Sequence, residues 1–188
     1  MKKIALDLDG VVFDSENLYR VYSEIYDVDV LKGNNIIDNS KRTFQQRYSW
    51  SVDTSSDFYS SYSKEILTAA NIMPGADIVL KKLSEEFEFV IVTARSDIEI
   101  DYAKDKFKLL GLDKVQIFSN EKDKINCLIN NNIDYIIDDC EDICKNAALN
   151  NITALHFRNA AGYLTPENEY LKVVNNWGEI YKYFFEFR

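Results

Sequence analysis

Five short runs of β-branched and aromatic residues, set apart by stretches of helical length, constrain the fold of this chain most. The runs span 3–8, 87–93, 115–118, 133–138 and 152–157, and helices are expected over 76–86, 97–110, 122–131 and 141–149. Strands that alternate with helical crossovers build a parallel sheet covered on both faces. Ligands of such open sheets bind beyond the carboxyl ends of the strands. Three of the runs end there in functional side chains: Asp7 and Asp9, Thr93, and Asp138 with Asp139.

A chain of 188 residues suits one α/β domain with room for an insertion, and it can bury a core without staples. The insertion lies between the first two strands, where the tract from Asp14 to Met73 is too long for a simple crossover and must hold structure of its own. Asp14 and Ser15 suit the N-cap of a helix reaching about Tyr26, with further helices expected over 41–48 and 53–70. Met73-Pro74-Gly75 marks the return to the sheet. The expected division is therefore a core of 1–14 and 74–188 with a small helical cap, 15–73, over the active edge.

Composition narrows the partners. With 46% hydrophobic and 28% charged residues, the chain does not read as disordered or membrane-spanning. A formal charge of −9 disfavours long nucleic acids, whose grip needs a basic face, but leaves a small phosphorylated molecule open. Cys127, Cys140 and Cys144 lack zinc-site spacing and read as reduced, buried small residues. Two acidic residues by position 9 interrupt any signal-peptide apolar run, so a cytoplasmic protein is expected, with no membrane partner.

An Asp-x-Asp at a strand end places two carboxylates on one side of the strand, and Gly10 permits the turn that follows. Asp7-Leu8-Asp9-Gly10-Val11-Val12, Ile91-Val92-Thr93-Ala94-Arg95, Lys124 and Ile137-Asp138-Asp139, in this order, resemble the haloacid dehalogenase-like phosphohydrolase superfamily. The resemblance covers about 1–14 and 74–160 and implies a Rossmann-like, three-layer core. It is nearest to the 5′-nucleotidases and 5′(3′)-deoxyribonucleotidases, on Thr93-Ala94-Arg95, on Lys124 leading into Ile133 to Asp139, and on Val173 to Trp177.

The resemblance implies a Mg²⁺-dependent phosphomonoesterase acting on nucleoside monophosphates. Asp7 would be the nucleophile that forms an aspartyl-phosphate, and Asp9 the acid and then base. Thr93, the Ala94 amide and Lys124 would hold the phosphoryl oxygens. Asp7, the Asp9 carbonyl and Asp138 would bind Mg²⁺, with Asp139 acting through water. Cap aromatics stack on the base in that family, which makes Tyr48 and Trp50 substrate candidates beside Phe44, Phe58, Tyr59 and Tyr62.

Plainer roles stand beside these. A small helical cap needs aromatic bulk for its own core, so one or two rings at most are expected at the substrate. Arg95 binds phosphate or pairs with Asp97 or Glu99, and Lys122 rivals Lys124. Asp138-Asp139 can cap the helix that follows, and His156 reads as a core residue. Arg158 and Asn159 lie near the site or are simple loop polarity, while a closing amphipathic helix is expected over 177–187. The alternatives in function are a phosphatase for a sugar phosphate or a nucleic-acid end, and a non-catalytic phosphate-ester-binding or regulatory protein.

Overall fold

The computed structural model describes residues 1–158 and 166–185. Its sheet comprises β1 (Lys2–Leu6), β2 (Phe87–Val92), β3 (Gln116–Phe118), β4 (Tyr135–Asp138), β5 (Thr153–Phe157) and β6 (Leu171–Val174). All pairings are parallel and the order is β3-β2-β1-β4-β5-β6. Because the chain leaves β1 toward β2 and later returns to its other side at β4, the sheet changes direction beside β1. Such a switch point opens a crevice at the carboxyl ends of the strands.

Side-chain alternation divides the core between the two faces. Ile4 and Leu6 point with Phe89 and Ile91 toward α4 (Ala76–Leu83), α6 (Lys104–Leu110) and α9 (Trp177–Phe185). Ala5, Val90, Val92 and Ile136 face α7 (Lys124–Asn130) and α8 (Glu141–Leu149). The indole of the fully buried Trp177 donates to the Val11 carbonyl at 3.0 Å, which fixes α9 beneath the loop leaving β1. The result is the expected Rossmann-like α/β sheet with helices on both faces.

Several boundaries depart from the sequence reading. Strand β1 stops at Leu6, because the Leu8 carbonyl turns back to accept the Val12 and Phe13 amides. The helix expected over 97–110 divides at Tyr102-Ala103 into α5 (Asp97–Asp101) and α6. Strand β6 was not expected; it is four residues long and, among the described residues, pairs only with β5. Cys127 and Cys144 are buried thiols, whereas Cys140 is half-buried and so departs from the expectation. His156 is a core residue of β5, with Nε2 3.2 Å from the Asp139 carbonyl. Among the described residues, no helix is long and apolar enough to cross a membrane. Asn159 and the end of the closing helix at Phe187 lie outside the described residues.

The tract after β1 folds into α1 (Ser15–Ile25), a π-helical turn Tyr26–Val30, α2 (Phe44–Arg47) and α3 (Val52–Ala69). These enclose a separate aromatic cluster built from Tyr19, Tyr26, Phe44, Tyr48, Phe58 and Leu67. Asp27 staples the loop beneath it, accepting from the Asn35 backbone and side-chain amides and from the Trp50 indole. The chain enters and leaves the tract side by side: Asp14 N donates to Asn71 O, Met73 N to Val12 O, and Phe13 pairs with Ile72. Lys106 of α6 caps the end of α3, donating to the carbonyls of Thr68 and Ala70 at 2.6 and 2.5 Å.

Candidate active site

Asp7 continues the ladder one residue past β1, its amide donating to the Ile137 carbonyl at 3.0 Å. The same pairing sets Asp138 and Asp139, at the end of β4, next to it. Gly10 then turns with φ +78°, and a Cβ there would lie 2.3 Å from Asp139 Oδ2, so only glycine leaves room for that carboxylate. Asp7, Asp138 and Asp139 are buried, and each offers an oxygen within 4.8 Å of the others. Asp139, expected to act through water, brings its oxygen into the same group and is also paired with Arg42.

The first residue of α7 brings a cation to this cluster. The buried Lys124 ammonium lies 2.9 Å from Asp7 Oδ1 and 2.7 Å from Asp138 Oδ2. Lys122 is exposed at the cavity rim instead. Burial pushes the Asp7 carboxyl up to about 6; Lys124 opposes this, and Asp138 and Asp9 reinforce it. Burial likewise raises Asp139 well above the usual carboxylate range despite Arg42. Lys124 is pushed up: burial acts against its charge, but Asp7 and Asp138 outweigh it. Three buried carboxylates in mutual repulsion are a donor set of hard oxygens, and they fit a divalent cation such as Mg²⁺.

Thr93 and Ala94 stand across the cavity at the end of β2. Thr93 donates its amide to the Phe118 carbonyl and accepts from the Glu121 amide, so the neighbouring strand holds it in place. Its hydroxyl oxygen accepts the Arg95 amide at 3.2 Å. Ser96 and Glu99 then form a reciprocal capping box that starts α5. Asp138 accepts the Cys140 amide at 2.8 Å, but Cys140 is itself the N-cap of α8, so neither Asp138 nor Asp139 caps that helix as expected.

Asp9 faces away from this acidic group. Arg95 holds its carboxylate in a fork, with Nε 2.9 Å from Oδ2 and Nη2 2.6 Å from Oδ1, and the Ser15 hydroxyl also donates to it. Burial alone would raise Asp9, yet Arg95, Ser15 and Lys124 together hold it below the usual carboxylate range. This corrects one reading of Arg95, which pairs with Asp9 and with neither Asp97 nor Glu99; its Nη1 is buried without a hydrogen-bond partner and the residue lines the cavity. Asp97 accepts from Ser119, and Glu99 accepts from Ser96 and Tyr59.

The strand ends and the inserted helices enclose a cavity of about 450 Å³. The insert contributes Glu16, Tyr19, Arg42, Phe44 and Tyr59 to its lining. Tyr48 and Trp50 do not line this cavity: they stack on each other at 4.3 Å in the aromatic cluster, and Tyr48 is 2% exposed. Tyr19 and Tyr59 instead stack across its wall at 6.2 Å with an interplanar angle of 6°. Arg42 reaches from the insert to the sheet, with Nη1 3.1 Å from Asp139 and 3.2 Å from Glu16. Burial pushes Glu16 up to about 7, with Arg42 opposing. Sequence reasoning missed Glu16, Tyr19 and Arg42; only Glu16, in the first turn after the acidic motif, carried a local signal.

No protein-family model matches the sequence, and no curated protein matches it. Solved structures do share its fold. A predicted phosphatase from Clostridium acetobutylicum superposes with a TM-score of 0.73 at 19% identity, covering 98% of both chains. A haloacid dehalogenase-like family hydrolase from Streptococcus pneumoniae gives 0.71 at 18%, again over 98% of both. A predicted phosphoglycolate phosphatase from Haemophilus somnus gives 0.65 at 15%, over 98% of both. The likeness is one of fold: the α/β architecture of haloacid dehalogenase-like hydrolases.

Proposed function

We propose that this chain, with the fold of haloacid dehalogenase-like hydrolases, is a Mg²⁺-dependent phosphomonoesterase acting on a small phosphate ester. The observation that carries this is the grouping of Asp7, Asp138 and Asp139 within 4.8 Å around the Lys124 ammonium, beneath a cavity large enough for a small ester. The cation would sit between the three carboxylates and offset repulsion between Asp7 and the phosphate oxygens. An Asp7 oxygen attacks phosphorus, the ester P–O bond breaks, and the leaving oxygen takes its proton through Asp9, which Arg95 holds ionised in the free protein and which first accepts that proton from the bound ester monoanion. Asp9 then removes a proton from the water that hydrolyses the aspartyl-phosphate, returning Asp7 and releasing phosphate. Thr93, the Ala94 amide and Lys124 hold the phosphoryl oxygens throughout. A pure binding protein has no need of both Asp7 and Asp9.

In this reading the segment 15–73 works as a cap that chooses the leaving group. The stacked Tyr19 and Tyr59 favour an ester carrying a planar ring, a nucleoside monophosphate. Glu16 and Arg42 in the same lining favour a polyhydroxylated group, and a sugar phosphate fits them equally well. Three free cysteines favour a reducing, cytoplasmic setting. Phosphate release is measured over ribo- and deoxyribonucleoside monophosphates, sugar phosphates and p-nitrophenyl phosphate, with Mg²⁺ or EDTA. Mg²⁺-dependent hydrolysis is expected; no release from any ester would remove the phosphatase reading and leave the binding-protein alternative.

A further inference from the structure

Asp7 and Asp9 leave the same strand end two residues apart, yet Asp7 pairs with Lys124 and Asp9 with Arg95. Only Asp7 belongs to the acidic group with Asp138 and Asp139. The separation has a visible cause. The Arg95 side chain is 2% exposed and grips Asp9 through two parallel N–H···O bonds, the geometry in which guanidinium–carboxylate pairs are strongest and most directional. Phe13 lies under the guanidinium, its ring centroid 5.3 Å from the central carbon, and Ser15 adds a third donor to the carboxylate. Arg95 itself is anchored by its own amide on Thr93 and by the Asn120 amide on its carbonyl.

We propose that Arg95 is a positioning residue that keeps Asp9 out of the metal-ligand set, so that its carboxylate stays available for proton transfer. The proposal rests on the phosphatase reading for its kinetic arm only. Without the fork, the Asp9 side chain is drawn to the cation beside Asp7 as a further anionic ligand. Cation affinity then rises while proton transfer is lost. A brace that only stabilised the fold would produce no such opposite pair of effects.

The test titrates Mn²⁺ by calorimetry into the wild-type protein, Arg95→Ala, Arg95→Lys and the double variant Arg95→Ala/Asp9→Asn, and measures p-nitrophenyl phosphate turnover on the same preparations. Arg95→Ala is expected to bind Mn²⁺ about tenfold more tightly, since affinity follows the charge count of the ligands. Its kcat is expected to fall about 100-fold with KM little changed, the scale of a misplaced catalytic group. Methylguanidinium should restore part of that kcat, and Arg95→Lys should fall between wild type and Arg95→Ala. The gain in Mn²⁺ affinity should vanish in the double variant; its persistence there would mean that the lost arginine charge alone is responsible, and would overturn the proposal. A lower kcat with unchanged or weaker Mn²⁺ binding, or a raised KM with kcat kept, also overturns it. If Arg95→Ala does not fold, Ser15→Ala removes the third bond to Asp9 and should move both readouts in the same directions by less. A wild type that hydrolyses no ester defeats the phosphatase reading, while the Mn²⁺ comparison still decides the role of Arg95.

Discussion

Two regions build the walls of one cavity by different means. The sheet edge contributes polar and charged groups whose positions follow from the backbone ladder: Asp7 through the Ile137 carbonyl, Thr93 through that of Phe118, and Asp138 as the last residue of β4. The helical insert contributes aromatic faces with Glu16 and Arg42, held by side-chain packing around Phe58 and by the Asp27 staple. A ladder fixes a residue within the pitch of a strand, whereas packing fixes a surface whose members can be exchanged. The first suits chemistry that tolerates little displacement, and the second suits recognition.

If that division holds, damage to the sheet edge removes turnover for every substrate, and damage to the insert redistributes it. The largest effect is expected for Asp7→Asn, which should lower kcat by about four orders of magnitude or more on all esters while circular dichroism stays unchanged. Substantial activity in that variant would break the comparison at its foundation. Gly10→Ala comes next, because its Cβ would run into Asp139 and strain a left-handed turn. A loss of about 100-fold in kcat is expected, together with weaker Mn²⁺ binding in calorimetry.

The insert offers a sharper contrast between two tyrosines. Tyr59→Ala removes a cavity wall and should lower kcat/KM about tenfold for the preferred ester, with p-nitrophenyl phosphate affected less. Tyr48→Ala empties a buried position and should destabilise the protein by about 3 kcal/mol in urea unfolding, with losses equal across esters. Reversed outcomes for the pair would return Tyr48 to the substrate.

The smallest effect concerns pH. Without a divalent cation, Asp7 titrates near 6 and Glu16 near 7, chiefly through burial. The folded protein therefore binds more protons than the unfolded chain between about pH 4 and 7, and stability falls as pH rises through that window. Asp9, held low, acts with the opposite sign, and its contribution is lost only in stronger acid. Mg²⁺ favours the ionised carboxylates, so its effect on Tm should grow by a few degrees between about pH 5 and 7.5 in thermal scans. A Mg²⁺ effect that shrinks over this range would separate Asp7 from the cation.

The sheet edge was legible because its information is local. Apolar runs with acids at their ends name both the strands and what projects from them, whereas Lys124 was named by the resemblance alone, since the helix expected over 122–131 would have begun at Lys122 and α7 begins at Lys124. The insert was legible only as helices and aromatic bulk. Nothing in the order Tyr48, Trp50, Phe58, Tyr59 tells which ring turns inward, since that depends on how α1 and α3 meet. The Asp9–Arg95 fork joins residues 86 positions apart, and local spacing pointed Arg95 to the nearer Asp97 and Glu99 instead. Strand β6 escaped notice because four residues at a sheet edge carry little periodicity.

The side-by-side crossings at Val12–Met73 and Asp14–Asn71 bear on how such a chain changes over generations. They close the whole insert into a loop whose ends are already joined, and the entropy of closing a loop grows by only about 0.6 kcal/mol for each doubling of its length. A longer, shorter or differently folded graft can therefore replace it with little disturbance to the strands beneath. The sheet edge can be inherited intact while the wall that faces it is renewed by trading a single segment.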